Sequence, residues 1–180
     1  MKTRNISTVF LLAMSLGVAG CAGTPSGSPS TPTSSTTDGD TVNAGLTWQE
    51  AKKSTQAMEL EIANLIPRTV AISISQQKTG TLFSCDRAQH QWLGSTTVKV
   101  ASGTNIETII RSVESHYEGE KYQVSTGKDV DGKYRIQISK EEDSPENYVM
   151  GEGLNPDEVW ISSASNCFTL PPGVYPGGKF

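Results

Sequence analysis

Histidine, cysteine and basic charge are all scarce in this chain, and each scarcity removes a class of chemistry. Two histidines, His90 and His116, leave little to act as a general base or to ligate a metal. His116 falls late in a helical segment, where a cation complements the helix dipole, and reads as structural. His90 lies in the polar turn Asp86-Arg87-Ala88-Gln89-His90, where it and Asp86 would supply only two ligands. A serine nucleophile on a sharp strand-to-helix turn needs Gly-x-Ser-x-Gly, and Gly94-Ser95 lacks the second glycine. Asp129-Val130-Asp131-Gly132 opens like a calcium loop, but the third acidic ligand and the distal glutamate are missing. The sequence therefore assigns no catalytic residue, no metal set and no cofactor.

Long apolar runs are also lacking. The longest spans Val9 to Val18, about ten residues, whereas a helix across the hydrocarbon needs about twenty. It follows the positive Lys2 and Arg4, which is the pattern of a signal peptide. Val18-Ala19-Gly20-Cys21 comes next and resembles the lipobox of bacterial lipoproteins: a branched aliphatic, two small residues that fit a narrow protease subsite, and the cysteine that takes a diacylglyceryl thioether. An ordinary cleavage site with a chance cysteine would leave the agreement of all four positions unexplained. The expectation is a signal peptide over 1–20 and lipidation of Cys21, with the mature chain held at the extracytoplasmic face of the cell membrane. Two or three acyl chains, palmitate among them, at about 0.8 kcal/mol per buried methylene, anchor a protein without help from a basic patch.

Fifteen basic residues face 19 acidic ones, and loss of Lys2 and Arg4 would leave 13 against 19, a net charge of −6. No basic stripe is present, so nucleic acid is not an expected partner. The three cysteines divide once Cys21 is given to lipid: Cys85 and Cys167 remain as an even pair in a compartment that permits disulfides. A bond between them would close a loop of about 83 residues, worth roughly 4.5 kcal/mol in the chain-entropy model. Two buried free thiols are the alternative, and no Cys-x-x-Cys spacing marks a redox-active pair.

From Ala22 to Gly45 the chain is mostly Ser, Thr, Pro and Gly. Such a segment buries too little to offset its ordering entropy, and as a flexible tether it would reach about 25 to 30 Å; its Ser/Thr-Pro stretches are also candidates for O-glycosylation. One globular domain is expected over 46–180. Thr47-Trp48-Gln49-Glu50 reads as a capping box, followed by a helical stripe of Trp48, Ala51, Thr55, Met58, Ile62 and Leu65 that Pro67 ends. Alternation predicts strands at Val70–Ile74, Leu82–Cys85 and Gln91–Val100, the last with Trp92, Thr96, Val98 and Val100 on one side and Thr97 and Lys99 on the other. A second helix should begin at a Thr104/Glu107 capping box, bury Ile106, Ile109, Ile110, Val113 and Tyr117, and stop at Gly119. Tyr122–Thr126 and Tyr134–Ile138 then form a hairpin whose Asp131-Gly132 suits a type I′ turn. Tyr148–Met150 and Val159–Ile161 supply two more strands, and the Pro/Gly-rich tail from Leu170 runs along the surface. The fold expected is α+β: an antiparallel sheet of about five to seven strands, two helices mainly on one face, and one disulfide.

Among the aromatics, Trp92, Trp160, Tyr148 and Tyr175 offer a platform, with Trp92, Trp160 and Tyr148 the candidate binding surface, because amphipathic rings give much contact at low entropic cost; core packing competes for each. Glu141-Glu142-Asp143 with Glu146 reads as a solvated acidic loop. Leu82-Phe83-Ser84-Cys85-Asp86, Gln91-Trp92-Leu93-Gly94, Asn166-Cys167-Phe168 and Leu170-Pro171-Pro172-Gly173 together resemble a group of small actinobacterial cell-envelope lipoproteins. The resemblance spans about Thr47 to Phe180 and implies a two-cysteine α+β layout and a monoderm envelope. It supports the disulfide and transfers no catalytic residue. The expected function is a non-enzymatic module that binds an envelope protein or glycan through one face of its sheet. A wall hydrolase using acidic residues such as Asp86 or Glu158, or an inhibitor or immunity-type protein, are the alternatives.

Overall fold

The computed structural model describes residues 45–180. Helix α1 (Trp48–Asn64) is followed by strands β1 (Ala71–Gln76), β2 (Thr81–Ser84) and β3 (Gln89–Val100). Helix α2 (Ile106–Glu118) precedes β4 (Gln123–Lys128), β5 (Tyr134–Ser139), β6 (Asn147–Glu152), β7 (Glu158–Ala164) and the two-residue β8 (Phe168–Thr169). The strands form one eight-stranded sheet of order β1-β3-β7-β6-β5-β4, with β2 and β8 also pairing with the long β3. Every pairing is antiparallel. The α+β architecture read from the pattern is thus the observed one, with β8 added from a stretch too short to show alternation.

Both helices bury an apolar stripe on the same face of the sheet. Met58, Ile62, Ala63 and Ile66 from the first helical segment, and Ile109, Ile110, Val113 and Tyr117 from α2, pack on Val98, Val159, Ile161, Met150, Ile136 and Ile138. Register places these sheet residues opposite one another on neighbouring strands, Val98 with Val159, Ile161 with Met150 and Met150 with Ile136. α1 covers β3, β7 and β1, while α2 covers β4, β5 and β6. Burying each of the valine, isoleucine and methionine side chains contributes about 1.5 to 3 kcal/mol. The capping box at Thr47 is present, the hydroxyl receiving the Glu50 N–H and the Glu50 carboxylate receiving the Thr47 N–H.

Three local expectations are corrected. The N-cap of α2 is Asn105, whose side chain accepts the Thr108 N–H, because Thr104 turns its hydroxyl back to the Ala101 carbonyl. The β4–β5 connection is not type I′, which needs positive φ at both central residues. Gly132 alone of the pair has positive φ (79°), and its N–H bonds to Asp129 O at 3.1 Å, so the loop is a turn over Asp129–Gly132 closed by a left-handed glycine. Ile72 and Ile74 do not form a half-buried stripe, since β1 is an edge strand with a register break between Ala71 and Ser73, and both side chains are exposed. Glu59, beside the apolar stripe of α1, points into the core.

Glu59 is fully buried and accepts from the Thr96 hydroxyl at 2.8 Å, the Gln76 side-chain amide at 2.9 Å and the Ser163 hydroxyl. These neutral donors on β3, β1 and β7 satisfy a carboxylate that forms no ion pair among the described residues. A second, smaller core lies at one end, where Trp92, Phe168, Phe180 and Ala51 cluster with Trp48 and Leu82. The Trp92 indole lies over Gly80 and Gly94, where an added Cβ would fall on its ring. Its Nε1–H donates to the Phe180 carbonyl at 3.3 Å, and Phe180 itself pairs with the Gly80 backbone. The tail over 171–179 runs along the surface as expected, and its last residue, Phe180, is pinned against Gly80 and the Trp92 indole.

Candidate functional site on the open face of the sheet

The face opposite the helices carries no covering helix among the described residues. Alternation sends to it Ser73 and Ser75 of β1, Ser95, Thr97 and Lys99 of β3, Trp160 and Ser162 of β7, Val149 and Gly151 of β6, Arg135 and Gln137 of β5, and Ser125 and Gly127 of β4. Most are small or polar, and none is fully buried. Two side chains are exceptions in size: Trp160 lies between Val159 and Ile161, which face the core, and is 45% exposed, and Phe83 of β2, opposite Gln91, is 61% exposed.

The pairing register aligns one row across this face: Gly127, Arg135, Gly151, Trp160, Thr97 and Ser75. Arg135 therefore has a glycine on either side, and Gly151 separates it from Trp160. With strands about 4.8 Å apart, the Arg135 and Trp160 backbones stand about 9.5 Å from each other across a floor that has no side chain. A depression of about 290 Å³ follows, lined by Arg135, Gly151, Val149, Leu154, Trp160 and the β4–β5 turn. A second, also about 290 Å³, lies on the other side of the tryptophan against Thr97, Asn155 and Glu158. Trp160, Gly153 and Leu154 border both, so the indole and the β6–β7 turn stand between them.

Two hairpin tips rise beside the row. Val130 of the β4–β5 turn and Leu154 of the β6–β7 turn are fully exposed. The charges are mixed: Lys133 pairs with Glu152 at 2.7 Å, and Asp129 Oδ1 is held by the N–H groups of Asp131 and Lys133. Arg135 forms no ion pair and no side-chain hydrogen bond among the described residues, though its strand is paired on both sides, with β4 and β6. Gly45 and Leu46 lie beside Gln89 and Thr169, at the opposite end of β3 from Thr97. The chain thus enters the domain about 25 to 30 Å of strand away from the row.

The sequence-derived candidates separate sharply. Trp160 is on the open face, whereas Trp92 (0% exposed) and Tyr148 (2%) are core residues and do not belong to any surface. Trp92 is in phase with Thr96 and Val98, and Tyr148 with Met150, all on the helix side. The Tyr148 hydroxyl donates to Glu146 Oε1 at 2.9 Å, and burial, with the Glu146 charge beside it, pushes its pKa well up. Glu146 is buried rather than solvated, receiving Asn166 and Lys140 as well. Cys85 and Cys167 are disulfide-bonded, their Cα atoms 6.3 Å apart, tying the end of β2 to the β7–β8 connection. Cys21, the signal peptide over 1–20 and the tether up to Ala44 lie outside the described residues.

Asp86 and Glu158 stand at opposite ends of β3, about 30 Å apart, far beyond the 5 to 9.5 Å of a glycosidase carboxylate pair. Asp86 Oδ1 accepts the N–H groups of Ala88 and Gln89, which hold its pKa below the usual range, the opposite of what a general acid needs. Among the described residues no three His, Cys, Asp or Glu side chains converge as a metal set. No described helix is long and apolar enough to cross a membrane.

Arg135, Gly151, Thr97 and Leu154 were not singled out from the sequence. Gly151 carries the one local signal, a glycine inside an otherwise regular strand. No protein-family model matches the chain, and neither a curated protein nor a solved structure matches it.

Proposed function

We propose that this protein is a lipid-anchored, extracytoplasmic binding module, non-enzymatic, which holds an envelope protein or glycan on the open face of its sheet. Cys21 carries the anchor in this reading, and the 21–45 segment is the tether. The observation that carries the recognition half is the half-exposed Trp160 at the centre of an uncovered face made mostly of small and polar side chains. Leaving about half of a tryptophan in water forgoes about 1 kcal/mol of burial, and exposed aromatics of this kind are where binding energy concentrates. The anchoring half is supported by the charged start, the short apolar run and the Val18-Ala19-Gly20-Cys21 spacing.

The test is site-specific photo-crosslinking of the intact protein in its native envelope. A benzophenone side chain at Gln137, on the open face, should give a discrete crosslinked species, and one at Ser115, exposed on α2, should not. Equal yields from both positions, or none from Gln137, would contradict the assignment.

A further inference from the structure

The glycines of the transverse row are unexplained by the fold. Glycine in a strand interior weakens it, and is ordinarily retained for a bulge, a positive φ or a close approach. Neither Gly127 nor Gly151 has positive φ, and the β4–β5, β5–β6 and β6–β7 registers run without a break. Space is not the reason either. A Cβ at Gly151 would meet nothing nearer than Arg135 Cβ at 3.6 Å, and one at Gly127 nothing nearer than Arg135 Nε at 3.8 Å, both ordinary contacts. The fold has room for side chains there, and the sequence supplies none. What remains is a floor kept clear for something outside the fold.

Resting on the reading of this face as the recognition surface, we propose that the slot over Gly151, between Arg135 and Trp160, seats a sugar ring of an uncharged glycan. A pyranose has an apolar C–H face and a rim of hydroxyls that both donate and accept. Trp160 offers the apolar face its partner, and Arg135, uncommitted within the domain, supplies donors at the rim. Asp129, Asp131 and Glu152 supply acceptors. The charges decide against an acidic ligand: three carboxylates and two cations line the slot, and acidic residues outnumber basic ones in the chain, 19 to 15. Within the row the floor is bare backbone and Trp160 is the one large apolar side chain, a flat partner for a ring, with Val130, Val149 and Leu154 at the margin. The second depression beyond Trp160, walled by Thr97, Asn155 and Glu158, gives the next unit of a chain its place. Gly45 at the far end of the sheet leaves the row accessible to a polymer beyond the anchor.

The experiment uses the full-length lipidated protein in detergent micelles. Saturation-transfer difference NMR is run with cellohexaose, maltohexaose and chitohexaose as neutral probes, polygalacturonate as an acidic one, and an unrelated hexapeptide. At least one neutral hexamer should show saturable transfer to ring C–H protons. Trp160→Ala should weaken that binding at least tenfold. Gly151→Val should abolish it while leaving the thermal midpoint equal or higher, because a β-branched side chain fits the strand and fills the slot. Binding of polygalacturonate or peptide alone, binding that survives Gly151→Val, or no transfer to any neutral hexamer would overturn the glycan assignment. Failure is separable from that of the broader reading: a crosslinked protein captured from Gln137 would keep the open face as the recognition surface and remove the sugar, whereas no capture together with no transfer removes both.

Discussion

Replacing Glu59 by alanine should cost more than any single aliphatic-to-alanine change at the margin of the core. The carboxylate takes hydrogen bonds from Thr96, Ser163 and Gln76, and the first two donors are buried with it. A buried group left without a partner costs about 1 to 3 kcal/mol. Gln76 is only partly buried and can turn to water, so two orphaned hydroxyls and a cavity set the loss at about 3 to 5 kcal/mol. Against a domain stability of roughly 5 to 15 kcal/mol this is severe, and with a urea slope near 2 kcal/mol/M the midpoint should fall by about 2 M. Glu59→Gln keeps the volume and one acceptor while the hydroxyls rotate to accept from the new amide, so its loss should be about 1 to 2 kcal/mol. A double-mutant cycle with Thr96→Val should show a coupling above about 0.5 kcal/mol. Urea denaturation followed by fluorescence reads all of these. A Glu59→Ala variant within about 1 kcal/mol of the wild type, or zero coupling to Thr96, would refute the view that this buried acid pins α1 to the sheet.

Other outcomes follow from the same structure. Replacing Cys85 and Cys167 together by alanine removes a cross-link worth roughly 4.5 kcal/mol, and the loss should appear as a lower urea midpoint under non-reducing conditions. Tyr117 and Tyr148 both have raised pKa values, through burial first and then through Glu61 and Glu146 respectively. In each case the folded state holds the proton more tightly than the unfolded one. Stability should therefore be level up to about pH 10, where an unfolded tyrosine titrates, and fall beyond it by up to about 1.4 kcal/mol per pH unit for each group. Tyr117→Phe should flatten that fall in a denaturation series between pH 8 and 11.5. Gly94→Ala should lose about 1 to 3 kcal/mol or more, since its Cβ would force Trp92 from its seat, with the near-ultraviolet circular dichroism of the tryptophans changing in parallel. Trp160→Ala, by contrast, should change stability by less than about 1 kcal/mol, because half of that side chain is already in water.

Much of this arrangement is legible from period alone. The alternation of Trp92, Thr96, Val98 and Val100 fixed the core side of β3, and the face of α2 is that of its five apolar residues. The same rule separates the tryptophans. Trp160 sits between two β-branched residues and must face away from them, whereas Trp92 is in phase with Val98 and must face inward; hydrophobicity alone treats the two alike. Edge effects are less legible. Ile72 and Ile74 alternate as a buried strand does, yet lie at an uncovered margin that only the strand order reveals. Glu59 is a charge at a helical position beside the apolar stripe, and its burial depends on hydroxyls from two strands 37 and 104 residues later. The row Gly127, Arg135, Gly151, Trp160 exists only once four strands are in register, so no local window contains it.

The proposed placement of the domain outside the cytoplasm, and with it the proposed partner class, stands on the sulfur of Cys21. Intact mass of the protein isolated from its native membrane decides it. The predicted species begins at Cys21, carries a diacylglyceryl group and has lost two hydrogens to the Cys85–Cys167 bond. A chain that still begins at Met1, or one cut after Gly20 with no added lipid, would contradict the account.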